Sequence, residues 1–235
     1  CAFAPHLDLY IQSEKESLSK QISDTLQQVS QNVDEETHTI SSSDMFVVSM
    51  RKRIEKCSGF GIPQTLVDLF VILKELLVQF VTGLSGKIPS KIKTQESLQF
   101  VCAIANTTSD FVGVSESLAN KIKQLVPSEM SGSVIVEDAT DGIESQLKRQ
   151  LEMLIGSIMK QLNTPLAQIG NDSWSSSDPT DKLPPKLVSV GNEKFGVVSA
   201  WLCNENMNRI RPIFTQRMVG VMRDSLFKSR TIQES

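Results

Sequence analysis

Apolar residues recur three, four and seven places apart through most of this chain, and no stretch alternates apolar with polar residues between Gly-rich hairpin turns. The first pattern paints a stripe along one side of an α-helix, and the missing second pattern removes the main signal for strands. Leu7, Ile11, Leu18, Ile22, Leu26, Val29 and Val33 make such a stripe over a helix predicted from about Ala4 to Asn32. Asp34 to Ser43 is acidic and rich in Ser and Thr, a loop signal, and Ser43 or Asp44 is placed to cap a second helix carrying Met45, Phe46, Val48, Met50 and Ile54. The turn Ser58-Gly59-Phe60-Gly61 ends it. Pro63 suits a first helical turn, where its missing N–H has no partner to lose, and opens a helix running to about Thr82. That helix is apolar nearly all round, which predicts a central, buried position.

Beyond a break from Gly83 to Pro89, Thr94 is placed to cap a long helix with Leu98, Phe100, Val101, Ile104, Phe111, Leu118, Ile122 and Leu125, ending before Pro127. Its middle, Asn106 to Asp110 with Gly113, is read as weak. Ser128 to Ser133 is a second break, and Ser131 to Val136 is the one short piece that suits an extended conformation. A helix bearing Ile143, Leu147, Leu151, Leu154, Ile158 and Leu162 follows and is expected to end near Pro165. Gly170 to Pro185, rich in Ser, Asp and Pro, reads as a surface linker. Helical spacing resumes from Leu187 through Val190, Phe195, Val198 and Leu202 to Ile210, Ile213, Phe214, Met218, Val221, Met222 and Leu226, with Pro212 expected to kink or divide the last segment. The expectation is an all-α chain of tandem helical bundles, one over residues 1–130 and one over 131–235, with a flexible linker at about 170–185 and truncation at the C-terminus.

Length and composition fit that reading. The 235 residues are 40% hydrophobic and 22% charged, and a net charge of −3 gives no overall basic field of the kind that phosphate backbones attract. Nucleic acid is therefore excluded as the main partner. The longest apolar run, Leu66 to Val81, is interrupted by Asp68, Lys74 and Glu75, which argues against a membrane span. Cys1, Cys57, Cys102 and Cys203 are far apart with no CxxC spacing, so zinc and a disulfide framework are not expected, and a reducing, cytosolic compartment is inferred. The chain opens at Cys1 without an initiator Met and stops inside a helical pattern, so it reads as a piece of a longer protein.

Catalytic and cofactor chemistry find no motif. The two histidines, His6 and His38, stand at a helix start and in an acidic loop, which suits packing or solvation better than a triad base. Gly83-Leu-Ser-Gly86-Lys87 departs from a phosphate loop at Val81 and Ile88, and Gly83 and Gly86 read as a helix stop. Pairs such as Glu35 with Glu36 and Glu137 with Asp138 look solvated, and the sequons at Asn106 and Asn171 carry little weight without a signal peptide. No catalytic, metal or cofactor-binding residue is assigned. Two basic features stand out. Arg51, Lys52, Arg53 and Lys56 cluster on the second helix, and Arg209, Arg211, Arg217, Arg223, Lys228 and Arg230 face only Asp224 and Glu234 in the tail. Each is either a solvated helix face or a surface for acidic partner helices or an anionic membrane; Arg209, Arg211, Arg217 and Arg223 are taken as candidate partner-binding residues.

The segment Pro5-His-Leu-Asp-Leu-Tyr10-Ile11-Gln-Ser13-Glu14-Lys-Glu-Ser-Leu18 resembles a signature of subunit fifty-three of the Golgi-associated retrograde protein (GARP) complex. The likeness continues through Asp44-Met-Phe-Val to Lys52, the helix at Thr65 to Val81, and Phe214-Thr-Gln216, and thins after about Met130. It suggests a C-terminal fragment from a yeast-like fungus. It implies an elongated helical rod of the multisubunit tethering-complex type, with no enzyme activity and no cofactor. The implied role is vesicle tethering in retrograde transport from endosomes to the late Golgi, at the cytosolic face of the trans-Golgi network and endosomes. The implied partners are other complex subunits, with SNARE proteins and small GTPases open, and peripheral membrane association through the complex. A spacer that extends the rod without a binding site of its own is the alternative.

Overall fold

The structure is a computed structural model describing residues 6–169 and 185–230, with side chains described at 6–30, 32–163 and 189–225. Its α-helices are α1 (Leu7–Gln28), α2 (Ser42–Ser58), α3 (Pro63–Gly86), α4 (Gln95–Leu125), α5 (Glu137–Ile169), α6 (Pro185–Trp201) and α7 (Asn204–Arg230). Among the described residues the only β feature is an isolated antiparallel bridge between Val33 and Ile40. The all-α class expected from the spacing is what forms. The chain divides into two compact units, residues 1–88 with 103–150, and residues 89–102 with 151–235. Both units are discontinuous in sequence, and α4 and α5 each contribute to both. The connection at Pro127 to Ser133, where the sequence suggests a boundary, belongs to the first unit. Of the linker expected at about 170–185, residues 170–184 lie outside the described residues and Pro185 opens α6.

The first unit is organised around three fully buried phenylalanines. Phe46 of α2, Phe80 of α3 and Phe111 of α4 have ring centroids 5.0, 5.1 and 6.4 Å apart, in tilted and stacked pairs. Such pairs contribute about 0.5–1.5 kcal/mol each beyond the area they bury. Leu69, Phe70, Leu73, Leu76, Leu77, Phe80, Val81 and Leu84 bury one broad face of α3, whereas Asp68, Val71, Glu75 and Gln79 on the other side are exposed, so this helix is not buried all round as its apolarity suggests. α3 continues past Thr82 to Gly86, because Gly83 is no stop; it lies against Leu26 of α1, where a larger residue would overlap the leucine.

The loop between α1 and α2 is a small built structure. Asp34 Oδ1 accepts the backbone N–H groups of Glu36 and Thr37, each at 2.8 Å, and His38 turns the chain with φ +54°. α4 then holds the loop. Thr107 Oγ1 accepts from the Ile40 N–H at 2.8 Å and donates to the Ala103 carbonyl at 2.9 Å, while Asn106 Nδ2 donates to the His38 carbonyl at 3.0 Å. The stretch that reads as a weak middle of α4 is thus unbroken helix, with Asn106, Thr107 and Thr108 all buried. Buried polar groups are tolerable only when hydrogen-bonded, and these have partners waiting. Burial also removes Asn106 as a glycan acceptor.

In the second unit, Thr94 caps α4 as expected, its Oγ1 accepting the Ser97 N–H at 3.2 Å. The Ile92 carbonyl accepts Ser157 Oγ at 2.6 Å and Gln161 Nε2 at 3.3 Å from α5. Leu98, Val101, Cys102, Leu154, Ile155, Ile158, Leu162, Val198, Leu202, Met207 and Ile210 are buried. α5 does not end near Pro165 but runs on to Ile169. Nor does Pro212 divide the last segment: the break falls at Leu202 and Cys203, and α7 passes through Pro212. A proline removes the bond from its own nitrogen to the carbonyl four residues back. Here that carbonyl belongs to Asn208, which is exposed like Pro212 itself, so water can take the donor's place. Among the described residues no helix is long and apolar enough to cross a membrane.

Candidate functional site

The two basic features are treated differently by the fold. On α2, Glu14 of α1 takes up two of the four cations: Arg53 Nε lies 2.8 Å from Glu14 Oε2 and Lys56 Nζ 2.9 Å from Oε1. The Glu14 side chain is only 11% exposed, so the pairing belongs to the packing of α1 on α2. Lys56 also sits over the Tyr10 ring, 5.0 Å from its centroid, and Tyr10 meets Phe60 edge-to-face at 5.0 Å. Burial and then the Glu14 carboxylate raise the Tyr10 phenol, and burial, Glu14 and Asp68 push the Cys57 thiol up to about 11. Arg51 and Lys52 stay exposed. The sequence does hold a signal for Glu14: it stands between Ile11 and Leu18 on the apolar stripe of α1, where a carboxylate needs a buried cation.

Arg209, Arg211, Arg217 and Arg223 of α7 remain at the surface. Arg209 pairs with Glu205 one turn back at 2.8 Å, and Arg223 reaches its neighbour Asp224 at 3.4 Å. Arg211 and Arg217 are exposed and form no ion pair among the described residues. At roughly 100° and 1.5 Å per residue, Arg209, Arg217, Arg211 and Arg223 fall at roughly 0°, 80°, 200° and 320° around an axis segment of about 21 Å. They are not drawn to one point, as a catalytic or small-anion site requires, and instead spread charge along a helix. α7 is anchored by buried Asn206, Met207 and Ile210, whereas no residue from Arg211 to Ser225 is buried. Phe214 meets Phe195 of α6 at 5.1 Å, and Val219 is 59% exposed.

Three further carboxyls are tied into local structure. Lys74 Nζ bonds both oxygens of Asp138, at 2.7 and 2.8 Å, and this bond holds the Asp138 carboxyl below its usual range. Glu137, in the first turn of α5, is lowered by backbone N–H groups, and Asp34 by those of Thr37 and Glu36. His6 precedes α1 as its cap residue without a side-chain cap bond, and His38 occupies the α1–α2 turn. Among the described residues no group of three or more His, Cys, Asp or Glu side chains is placed to hold a metal ion.

Two likenesses to known proteins bear on this chain. The chain is 23% identical over 208 residues, 81% of its length, to vacuolar protein sorting-associated protein 53 A of Arabidopsis thaliana, and spans 24% of that protein. It superposes on the crystal structure of the C-terminal domain of the exocyst subunit Sec6p with a TM-score of 0.78 at 12% identity, covering 94% of this chain and 62% of that one. No family model matches the chain. The helical-bundle fold is therefore one used by a subunit of the exocyst.

Proposed function

We propose that the chain is part of a non-catalytic subunit of a multisubunit vesicle-tethering complex. In the finer form of this reading it acts in retrograde transport from endosomes to the late Golgi, at the cytosolic face of the trans-Golgi network and endosomes. It associates peripherally with the membrane, alongside the other complex subunits, and presents α7 to vesicle, SNARE or small-GTPase partners. The observation that carries the reading is the coincidence of sequence and fold. The same chain is similar in sequence, over 81% of its length, to a vacuolar protein sorting-associated protein and shares its fold with an exocyst subunit domain. The spread arginines of α7 fit an extended contact better than a reaction centre.

A spacer without its own site is the second reading. It draws support from Arg209 and Arg223, whose charges are met within α7 by Glu205 and Asp224. Affinity purification of the tagged full-length protein from its own cells tests the first reading; failure to recover other tethering subunits sinks it. Arg211→Glu with Arg217→Glu then separates the two. A sorting defect with the complex still assembled favours recruitment, and normal sorting favours the spacer.

A further inference from the structure

α7 changes character at Pro212. On its N-terminal side apolar residues reach the core, but Ile213, Phe214, Met218, Val221 and Met222 are only half-buried and Val219 is exposed. The helix also concentrates charge against the trend of the chain. Six cations and two acids give it a net +4, whereas the whole chain carries −3, leaving −7 for the remainder. A basic helix with apolar side chains short of full burial suits an anionic surface with an apolar layer behind it.

We propose that this distal part of α7 binds an anionic lipid bilayer directly. An acidic helix offers its carboxylates in one row and needs its cations along one line, as in charge pairing between neighbouring helices. The α7 arginines surround more than half of the axis instead, at roughly 320°, 0°, 80° and 200°. A helix lying in the headgroup layer meets anions along both flanks, where long arginine side chains can reach them, so that scatter costs less there. The exposed Val219 and the half-buried Met218 and Met222 lie between the cations, where they reach past the headgroups. The proposal rests on the tethering reading, in which the chain works at a vesicle surface, but it is measured separately from complex assembly.

The test is cosedimentation of the chain with phosphatidylcholine vesicles containing about 30% phosphatidylserine, against phosphatidylcholine alone, at about 0.1 M salt. The chain is expected to partition at least about tenfold more strongly onto the anionic vesicles, and to be released as salt rises. Arg211→Glu, Arg217→Glu and Arg223→Glu together should lower that partition at least about tenfold, with unchanged helicity by circular dichroism, because all three side chains are exposed. The matching Lys triple should bind like the parent. Equal binding to both vesicle types, or a Glu triple that binds like the parent, overturns the proposal. So does binding of polyglutamate without binding of anionic vesicles, which assigns the surface to an acidic protein. Recovery of the full-length Glu triple with its complex keeps the two readings apart, since lost vesicle binding then counts against lipid contact alone.

Discussion

Gly83 of α3 lies so close to Leu26 of α1 that a β-carbon added to it would overlap Leu26 Cδ1. Alanine gains about 1 kcal/mol of helix propensity at a helix interior and asks only the end of the leucine to move, so Gly83→Ala should change stability little. Gly83→Val adds two methyl groups and should cost about 1–3 kcal/mol by overpacking. Leu26→Ala in the same chain should recover much of that increment. A double-mutant cycle by urea unfolding measures the coupling, and strictly additive effects would show that the approach is slack.

Glu14 answers for two cations at once. Glu14→Ala leaves Arg53, whose side chain is 18% exposed, without its carboxylate, and should destabilise the chain by about 1–3 kcal/mol. Lys56→Ala should cost under about 1 kcal/mol, since that side chain is 62% exposed. Equal losses from the two substitutions would show that Glu14 is not anchored by Arg53.

Gln150 is fully buried, and its Nε2 donates to Ser85 Oγ at 2.8 Å and Thr108 Oγ1 at 3.0 Å. Gln150→Ala should cost about 2–4 kcal/mol through the cavity and the lost bonds. Gln150→Met keeps the volume, and Ser85 Oγ retains its own bond to the Val81 carbonyl, so it should cost less than about 1.5 kcal/mol. Thermal unfolding distinguishes them; a methionine as harmful as alanine would mean that the amide bonds dominate.

Stability should fall on acidification through the lowered carboxyls. Asp138 titrates below its unfolded value of about 3.9, so its bond to Lys74 contributes fully above that pH and is lost as pH falls through the folded value. Asp34 and Glu137 act in the same sense. Asp138→Asn should therefore lower the urea midpoint at pH 7, and the gap from the parent should close below about pH 3.9. A gap that persists unchanged at pH 3 would rule out the ionic contribution.

The buried thiols should be inert in the folded chain. Burial is the main cause that pushes Cys57 up to about 11 and Cys102 to about 12, so little thiolate exists at pH 8. Iodoacetamide labelling located by mass spectrometry should modify Cys203, which is partly exposed, well before either. Rapid native labelling of Cys102 would mean that the second unit opens there.

Periodicity made the helices legible because each stripe is local: Leu18, Ile22 and Val29 declare their face whatever they pack against. What stayed hidden depends on partners distant in sequence. Thr107 and Asn106 look like helix breakers until the α1–α2 loop comes to meet them, and Gly83 looks like a stop until Leu26 fills the space beside it. The candidate surface was legible in part for the same reason. Composition finds the cations on α2 and α7, but only the position of Glu14 shows that Arg53 and Lys56 are already engaged.

The bond from Ile40 to Thr107 spans 67 residues of sequence. As the chain leaves the ribosome, α1 and α2 therefore emerge with their connecting turn held by its own local bonds alone, and its tie to α4 cannot form until α4 has been synthesised and docked. In the finished protein the Ile40 amide becomes a clock for that docking. Its deuterium exchange should track the detachment of α4, slower than the fraying of the turn that encloses it.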